Sequence, residues 1–217
     1  TSDSFEAKSL TMYNALIERH SVVERTGISA DDLSTVSSQI QAYFNSDLGP
    51  LHVAATAGGI KRDLFTDAEI SHMADVKNLF RGTYRVQSLS VAFLAILCLA
   101  AVWRFHGVAI IVAASWMRRG AIATGLTILV FGLLSLFAFD LAFTAFHYVG
   151  FPQGNWQFDS QSHYLVRIFP FGFWRDITLV IGILTVIQAA AIWGISAALS
   201  LRLRSIARCF THIRAHM

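Results

Sequence analysis

Two histidines, His72 and His147, stand out among the residues whose chemistry could serve catalysis. Each has an acid at helical spacing on the same face, because Asp75 lies three residues after His72 and Asp140 lies seven residues before His147. An imidazole with an ordinary pKa near ~6.5 takes or gives a proton at neutral pH, and a carboxylate can orient it through a hydrogen bond. The pattern predicts acid–base chemistry without specifying a reaction.

Asp140 also has explanations unrelated to catalysis. A charge at the centre of a membrane span costs about 2.5–3.5 kcal/mol on insertion scales, so its presence needs a reason. We favour a structural role, in which Asp140 bonds hydroxyl or backbone groups of a neighbouring helix. Three alternatives stay open: a small membrane transporter using Asp140, a metal-dependent membrane enzyme using His72, His147 and a carboxylate, and a purely structural partner of other membrane proteins.

The remaining histidines and the cysteines carry weaker signals. His163 lies in an aromatic segment and is a third candidate for the site. We expect solvated or capping roles for five others, which are His20, His52, His106, His212 and His216. Cys98 and Cys209 form no C-x-x-C pair, so we expect packing or tail positions for them.

Membrane helices must position these residues. The 217-residue chain is 54% hydrophobic and 14% charged, which excludes a disordered chain and an ordinary cytosolic enzyme. Three apolar runs approach or exceed the ~20 residues that cross a bilayer, and they predict spans at 86–103, 121–146 and 177–201. The short apolar run 107–117 is expected at the interface or in a short helix. The fold class is therefore predicted to be an all-α helical bundle in the membrane.

The charge distribution predicts the orientation of the chain. Residues 1–85 hold eight Lys or Arg and eleven Asp or Glu, whereas residues 104–119 and 202–217 together hold seven Arg and no acid. The positive-inside rule places both arginine-rich segments, including the C-terminal tail, in the cytoplasm. We therefore expect an extracytoplasmic segment 1–85 and a membrane domain 86–217 whose loop 147–174 lies outside. Arginines that flank spans argue against nucleic-acid binding.

The outer segment 1–85 is predicted to be mostly helical. Ser29 with Asp32, and Thr66 with Glu69, resemble capping boxes that begin two helices. The second helix is expected to end near Gly82 and to lead into the first span.

The outer loop 147–174 is unusually aromatic. An aromatic belt at the membrane interface is the favoured explanation, and a wall around lipid chains is compatible with it. The aromatic residues are Tyr148, Phe151, Trp156, Phe158, Tyr164, Phe169, Phe171, Phe173 and Trp174.

Three blocks carry a resemblance to a known family: LFTDAEISHMADVKNLF at 64–80, FTAFH at 143–147 and LVRIFPFGFW at 165–174. In sequence and order they resemble the bacterial lipoprotein intramolecular transacylases, and the similarity extends over about residues 22–200. Members of that family have four spans. Because a polar segment of this size needs an upstream element for translocation, we expect a fourth, N-terminal span that is missing here.

The resemblance implies a substrate and a reaction. The substrate would be a diacylglyceryl lipoprotein in the membrane, and the sn-2 acyl chain would move to the α-amine of the N-terminal cysteine to give a lyso-form lipoprotein. The two histidines that the family treats as catalytic match His72 and His147. No oligomeric state is implied.

Such a reaction needs no Ser or Cys nucleophile, because the ester and the amine belong to one molecule. One histidine would act as base and the other as acid, and their order stays open. Lys77 or Arg167 would stabilise the oxyanion. Asp75 and Asp140 would orient the two imidazoles, and Trp156 would contribute to substrate binding. We expect no metal and no other cofactor.

Overall fold

The structure, a computed structural model, describes residues 13, 15–47 and 49–215, with side chains as far as residue 203. It is predominantly helical, as predicted. The N-terminal elements are helices α1 (Val22–Thr26) and α2 (Ala30–Phe44), followed by strands β1 (Ala54–Ala57) and β2 (Ile60–Asp63). The later elements are α3 (Asp67–Phe105), a 3₁₀ turn (His106–Val108), α4 (Ala109–Phe137), α5 (Phe139–Gly150), α6 (Tyr164–Ile168) and α7 (Phe171–Ala215).

The chain forms two compact units. The first comprises the residues up to Thr83 together with Asp140–Ile177, and the second comprises Tyr84–Phe139 and the residues from Thr178 onward. The first unit therefore combines most of the polar N-terminal segment with the aromatic loop.

The helix α2 forms where its sequence pattern predicts it. Ser29 accepts a 3.1 Å hydrogen bond from the backbone N–H of Asp32, which confirms the first predicted cap. The apolar stripe then packs into the core of the first unit, with Leu33, Val36, Ile40 and Tyr43 buried.

A β-hairpin interrupts the predicted helical segment. Strands β1 and β2 pair antiparallel, and Gly58 and Gly59 form the connecting turn with φ values of +59° and +80°. Glycine populates such backbone angles at little steric cost, so the turn suits these residues. Strands of only four residues, one of them composed of alanine and threonine, carry too little periodicity to be predicted from the sequence.

The helix α3 begins as predicted but ends elsewhere. Thr66 and Glu69 bond each other reciprocally, which confirms the second capping box. The predicted end near Gly82 is wrong, because α3 continues to Phe105 over 39 residues. A single glycine within a helix costs only about 1 kcal/mol relative to alanine, which a long helix tolerates.

The second predicted span is not one helix. The helix α4 ends at Phe137, Ala138 adopts φ −146° and ψ 45°, and α5 begins at Phe139. Residues 109–117 of the run expected at the interface form the first turns of α4 instead. The break puts Asp140 in the first turn of α5, where the helix dipole favours an acid.

Among the residues that the structure describes, two continuous helical stretches are long and apolar enough to cross a membrane, Asp67–Phe137 and Phe171–Leu203. The first contains the predicted span 86–103 and residues 121–137 of the second span. The later stretch contains the predicted span 177–201. Side chains in their apolar parts are mostly exposed, as expected for helices surrounded by lipid.

One of the five histidines expected to be solvated or capping instead contacts a buried acid. His20 is half-buried, and its Nε2 lies 3.1 Å from Oδ2 of Asp176, which also pairs with Arg19 at 3.2 Å. His52 is exposed, as expected. Cys98 is exposed, whereas the side chains of His212, His216 and Cys209 lie outside the described residues.

Candidate active site

The structure brings His72 and His147 together within the first unit. Their ring centroids are 6.2 Å apart and their planes differ by 20°. Both side chains are buried, with exposed fractions of 7% and 9%. Two groups capable of proton transfer therefore share one desolvated site.

His72 is positioned by the start of α3. Three residues before it, the fully buried carboxylate of Glu69 accepts hydrogen bonds from the N–H of Thr66 at 2.8 Å and from its hydroxyl at 2.9 Å. The other oxygen of Glu69 accepts from the N–H of Leu165 at 2.7 Å, at the first turn of α6. One buried acid thus fixes the start of α3 and joins it to α6.

His147 is positioned by α5. Its Nδ1 lies 2.7 Å from the carbonyl oxygen of Phe143, one turn earlier in the helix. Because a carbonyl only accepts, Nδ1 carries the hydrogen and donates it. The Nε2 of the neutral ring therefore keeps a free lone pair, which is the form a general base requires.

Aromatic rings surround both imidazoles. Phe151 contacts the two of them, with centroid distances of 4.6 Å to His72 and 5.4 Å to His147. Phe158 packs against His72 at 5.5 Å, and Trp156 packs against His147 at 4.9 Å. This apolar surrounding explains the low exposure of both histidines.

Burial keeps both imidazoles neutral. The two side chains lie outside the apolar spanning segments, in the polar start of α3 and at the end of α5. Loss of hydration lowers the pKa of His72 to about 4; the nearby His147 lowers this pKa further, while Asp75 and Asn155 raise it. Burial also lowers the pKa of His147, against the effect of its bond to Phe143. At neutral pH both rings are therefore uncharged.

Asp75 does not bond His72 directly, although the sequence suggests it as the orienting acid. Its Oδ2 accepts from Gln153 at 2.6 Å and from Asn155 at 2.8 Å. The charge of Asp75 and the side chain of Asn155 each raise the pKa of His72, against the larger effect of burial.

Of the other predicted site residues, Trp156 contacts the histidine pair, whereas Asp140 and His163 have other surroundings. Trp156 is at the site, in contact with His147. Asp140 is exposed, and within the described part of the chain its carboxylate makes no hydrogen bond. His163 lies at the edge, with its ring centroid 5.0 Å from that of Phe158.

The two cations proposed for the oxyanion have other neighbours. The Nζ of Lys77 is buried 3.9 Å from the centroid of the Tyr43 ring, and the residue lines a cavity of about 540 Å³ that neither His72 nor His147 lines. Arg167 donates to the backbone carbonyl of Arg25 and lies over the ring of Tyr164.

Comparison with known proteins identifies the family. The family model described as lipoprotein intramolecular transacylase Lit matches residues 4–174, which is most of the chain. This chain belongs to the Lit family.

A relative of the chain matches part of its length. An uncharacterized protein of Aquifex aeolicus (strain VF5) is 34% identical over 121 residues, which cover 56% of this chain and 51% of that protein. The chain thus spans about half the length of that relative.

Two solved structures of the Lit protein from Bacillus cereus share the fold. The first has a TM-score of 0.64 at 15% identity and covers 89% of this chain and 84% of the other. The second, a variant with a histidine replaced by alanine, has a TM-score of 0.65 at 15% identity, with coverage of 89% and 82%. Both are described as membrane-integral, and this chain is likewise a helical membrane protein.

Asn155 of this Lit family member was not predicted as a site residue, although its amide donates to Asp75 and its side chain raises the pKa of His72. An asparagine in a loop has no spacing signature, so only the contact identifies it. Among the described residues, no group of three or more His, Cys, Asp or Glu side chains is placed to hold a metal ion.

Proposed function

We propose that this protein is an intramolecular acyltransferase acting on membrane lipoproteins. The substrate carries a diacylglyceryl group on its N-terminal cysteine, and the sn-2 acyl chain moves from the glycerol oxygen to the α-amine of that cysteine. The observation that supports the proposal is the buried pair of His72 and His147, 6.2 Å apart, in a chain of the transacylase family.

The chemistry is balanced without water or a cofactor. The amine nitrogen attacks the ester carbonyl carbon, a C–N bond forms, and the bond from that carbon to the glycerol oxygen breaks. The proton lost by the nitrogen is returned to the departing glycerol oxygen. Donor and acceptor belong to one molecule, so positioning replaces a covalent acyl-enzyme.

The two imidazoles provide the proton path. An α-amine with a pKa near ~8 becomes far more acidic once it has attacked, so even a histidine of lowered pKa accepts its proton at that point. The imidazolium formed lies beside the developing oxyanion and stabilises it in a water-poor site. Lys77 and Arg167 contact Tyr43 and Arg25, so our proposal assigns this stabilisation to the imidazolium.

Substrate entry involves the aromatic side chains. Both histidines are more than nine-tenths buried, so the ester reaches them only when rings such as Phe151 and Trp156 move aside. The same rings would then contact the acyl chain, because their apolar faces match a hydrocarbon chain.

We also propose that this site lies on the extracytoplasmic side and the C-terminus in the cytoplasm. The arginine-rich segments 104–119 and 202–217 support this orientation. A membrane-impermeant thiol reagent added to intact cells should label Ser162→Cys, in the exposed loop, in a cysteine-free background. Labelling of Ser162→Cys only after cell lysis would reverse the orientation.

The direct test is the product formed in cells. The full-length protein is expressed in a bacterial host that makes diacylglyceryl lipoproteins but lacks N-acylation, and N-terminal lipopeptides are analysed by tandem mass spectrometry. We expect N-acyl lyso peptides with the wild type, and a loss of about 10²-fold or more with His72→Ala or His147→Ala.

A matched control is His52→Ala, because His52 is exposed and lines a cavity that neither His72 nor His147 lines. This variant should match the wild type at equal protein level. Undiminished product with His72→Ala or His147→Ala would remove that histidine from the reaction. Wild-type protein that left the diacyl form unchanged would contradict the proposed function itself.

A further inference from the structure

A loop residue lies between the acid of α3 and the ring of His72. Asn155 follows Gly154, whose φ of +78° forms a turn that glycine accommodates readily. The Gly154 N–H donates to the carbonyl of Phe151 at 3.0 Å, and the Phe151 N–H donates to the carbonyl of His147 at 2.8 Å. The end of α5 therefore passes directly into the turn that presents Asn155 to α3.

The orientation of the Asn155 amide follows from its neighbours. Its Nδ2 lies 2.8 Å from Oδ2 of Asp75 and 3.4 Å from the hydroxyl of Ser71, so the amide spans the turn of α3 that contains His72. A carboxylate only accepts hydrogen bonds, so the group facing Asp75 must be the NH₂. The carbonyl oxygen of the amide therefore points away from the carboxylate.

At this amide, two buried polar atoms of the described side chains have no hydrogen-bond partner. Among the described side chains, Nδ1 of His72 and Oδ1 of Asn155 are both buried and lack a hydrogen bond of ordinary geometry. Leaving a buried donor and a buried acceptor unpaired costs about 1–3 kcal/mol for each, unless they satisfy each other. Bonds of catalytic groups are often long in substrate-free structures and shorten when the substrate binds.

We infer that Asn155 is a positioning residue for His72, with Oδ1 of Asn155 accepting the hydrogen of Nδ1. Asp75 accepts a hydrogen bond from the NH₂ of the same amide, so carboxylate, amide and imidazole form one hydrogen-bonded chain. The neutral ring then carries its hydrogen on Nδ1 and leaves the Nε2 lone pair free for the substrate. His147 is held in the same tautomer by the carbonyl of Phe143. This inference rests on the proposed function only for its effect on turnover.

The tautomer can be measured without substrate. Protein labelled with ¹⁵N-histidine in lipid nanodiscs gives ring nitrogen shifts that distinguish a protonated from an unprotonated nitrogen, and His72→Ala assigns the signal. We expect Nδ1 protonation for His72 in the wild type and redistribution toward the Nε2-protonated form in Asn155→Ala. An Nε2-protonated His72 in the wild type would overturn the inference, even where the variant fails to fold.

Turnover provides the second measurement. Asn155→Ala should lower kcat by about 10²-fold, the loss expected from a misplaced catalytic group, and leave KM within about threefold. Gln153→Ala is the matched control, because Gln153 donates to the same oxygen of Asp75 but has an exposed side chain. It should retain both the tautomer and the turnover of the wild type.

Exchanging the amide and the carboxylate between positions 75 and 155 tests the hydrogen-bonded chain. Asn155→Asp alone places two carboxylates together and should lose activity. Combined with Asp75→Asn, it restores an amide beside a carboxylate and keeps an acceptor for Nδ1, so tautomer and activity should largely return. A double variant no better than Asn155→Asp would contradict the arrangement.

The two proposals fail differently. Normal acyl transfer by a wild type and by an Asn155→Ala variant that both keep Nδ1 protonated would remove Asn155 from its role and leave the proposed function intact. Absence of acyl transfer by the wild type, with the expected change of tautomer in Asn155→Ala, would contradict the function and retain the positioning of His72.

Discussion

The imidazole rings of His72 and His147 lie nearly parallel, 20° apart, with their centroids separated by 6.2 Å. They come from α3 and α5, which are far apart in the chain. Each ring is buried and surrounded by aromatic side chains, and each has its pKa lowered by that burial. The pair is therefore neutral at physiological pH.

The stability of the protein should depend on pH through His72. Its pKa is about 4 when folded and near 6.5 when unfolded, so between these values the unfolded state binds more protons. Above pH ~6.5 His72 is neutral in both states and does not lower the free energy of unfolding. As the pH falls to ~4, protonation of His72 in the unfolded state lowers this free energy progressively, by about 3 kcal/mol at most. Thermal unfolding of the purified protein in detergent, measured from pH 7.5 to 4.5, should show a smaller decline for His72→Asn than for the wild type.

His52→Asn is the control for this titration, because the side chain of His52 is exposed. Its pH profile should follow that of the wild type. Parallel profiles for the wild type and His72→Asn would mean that the imidazole of His72 protonates as easily in the folded protein as in the unfolded chain.

Acyl transfer should stay within one lipoprotein molecule. Two lipoproteins with different N-terminal peptides, one carrying deuterated acyl chains, are mixed with the full-length protein in the same vesicles. Because the proposed reaction holds the amine and the ester of one molecule at the same histidine pair, each peptide should receive only its own label. Mass spectrometry of the lipopeptides measures the outcome, and substantial exchange of label between the peptides would indicate a free or enzyme-bound acyl intermediate.

Trp156 should contribute to the rate by packing against His147, with a centroid distance of 4.9 Å. An aromatic contact of this kind is worth about 0.5–1.5 kcal/mol, so Trp156→Ala should slow turnover by up to about tenfold. Trp156→Phe should retain most of the rate. Initial rates of lipopeptide conversion measure both variants.

Trp193→Ala is the control for Trp156, since this exposed tryptophan lies in the second unit. It should leave the rate unchanged. Equal rates for Trp156→Ala and the wild type would show that the indole does not help to hold His147.

Glu69 should be more important for stability than any exposed acid. It accepts three hydrogen bonds while fully buried, so Glu69→Ala leaves buried donors unpaired at a cost of about 1–3 kcal/mol each. We expect a free energy of unfolding lower by about 3 kcal/mol or more, and an intermediate loss for Glu69→Gln. Thermal and denaturant unfolding in detergent test this prediction, with the exposed Glu24→Ala as control. Unfolding of Glu69→Ala and Glu24→Ala at the same temperature would contradict the bridging role.

Local features of the fold could be predicted from the sequence. The caps at Ser29 and Thr66 depend on residues three positions apart, and the buried stripe of α2 depends on helical periodicity. Both are local patterns, so they can be recognised in the sequence. The continuation of α3 through Gly82 and the break at Ala138 were not predicted. Single residues have small intrinsic preferences, and the surrounding structure decides whether a helix continues through them.

The amino-acid sequence by itself determined that this is a helical membrane protein and that His72 and His147 are its best candidates for acid–base chemistry. Only the tertiary structure decided that the two rings approach to 6.2 Å, that aromatic side chains pack around them, and that Asn155 donates a hydrogen bond to Asp75. The physical reason is the separation in sequence over which each effect acts. Hydropathy and capping act over a few neighbouring residues, whereas desolvation and hydrogen bonding at the site depend on segments that only folding brings together.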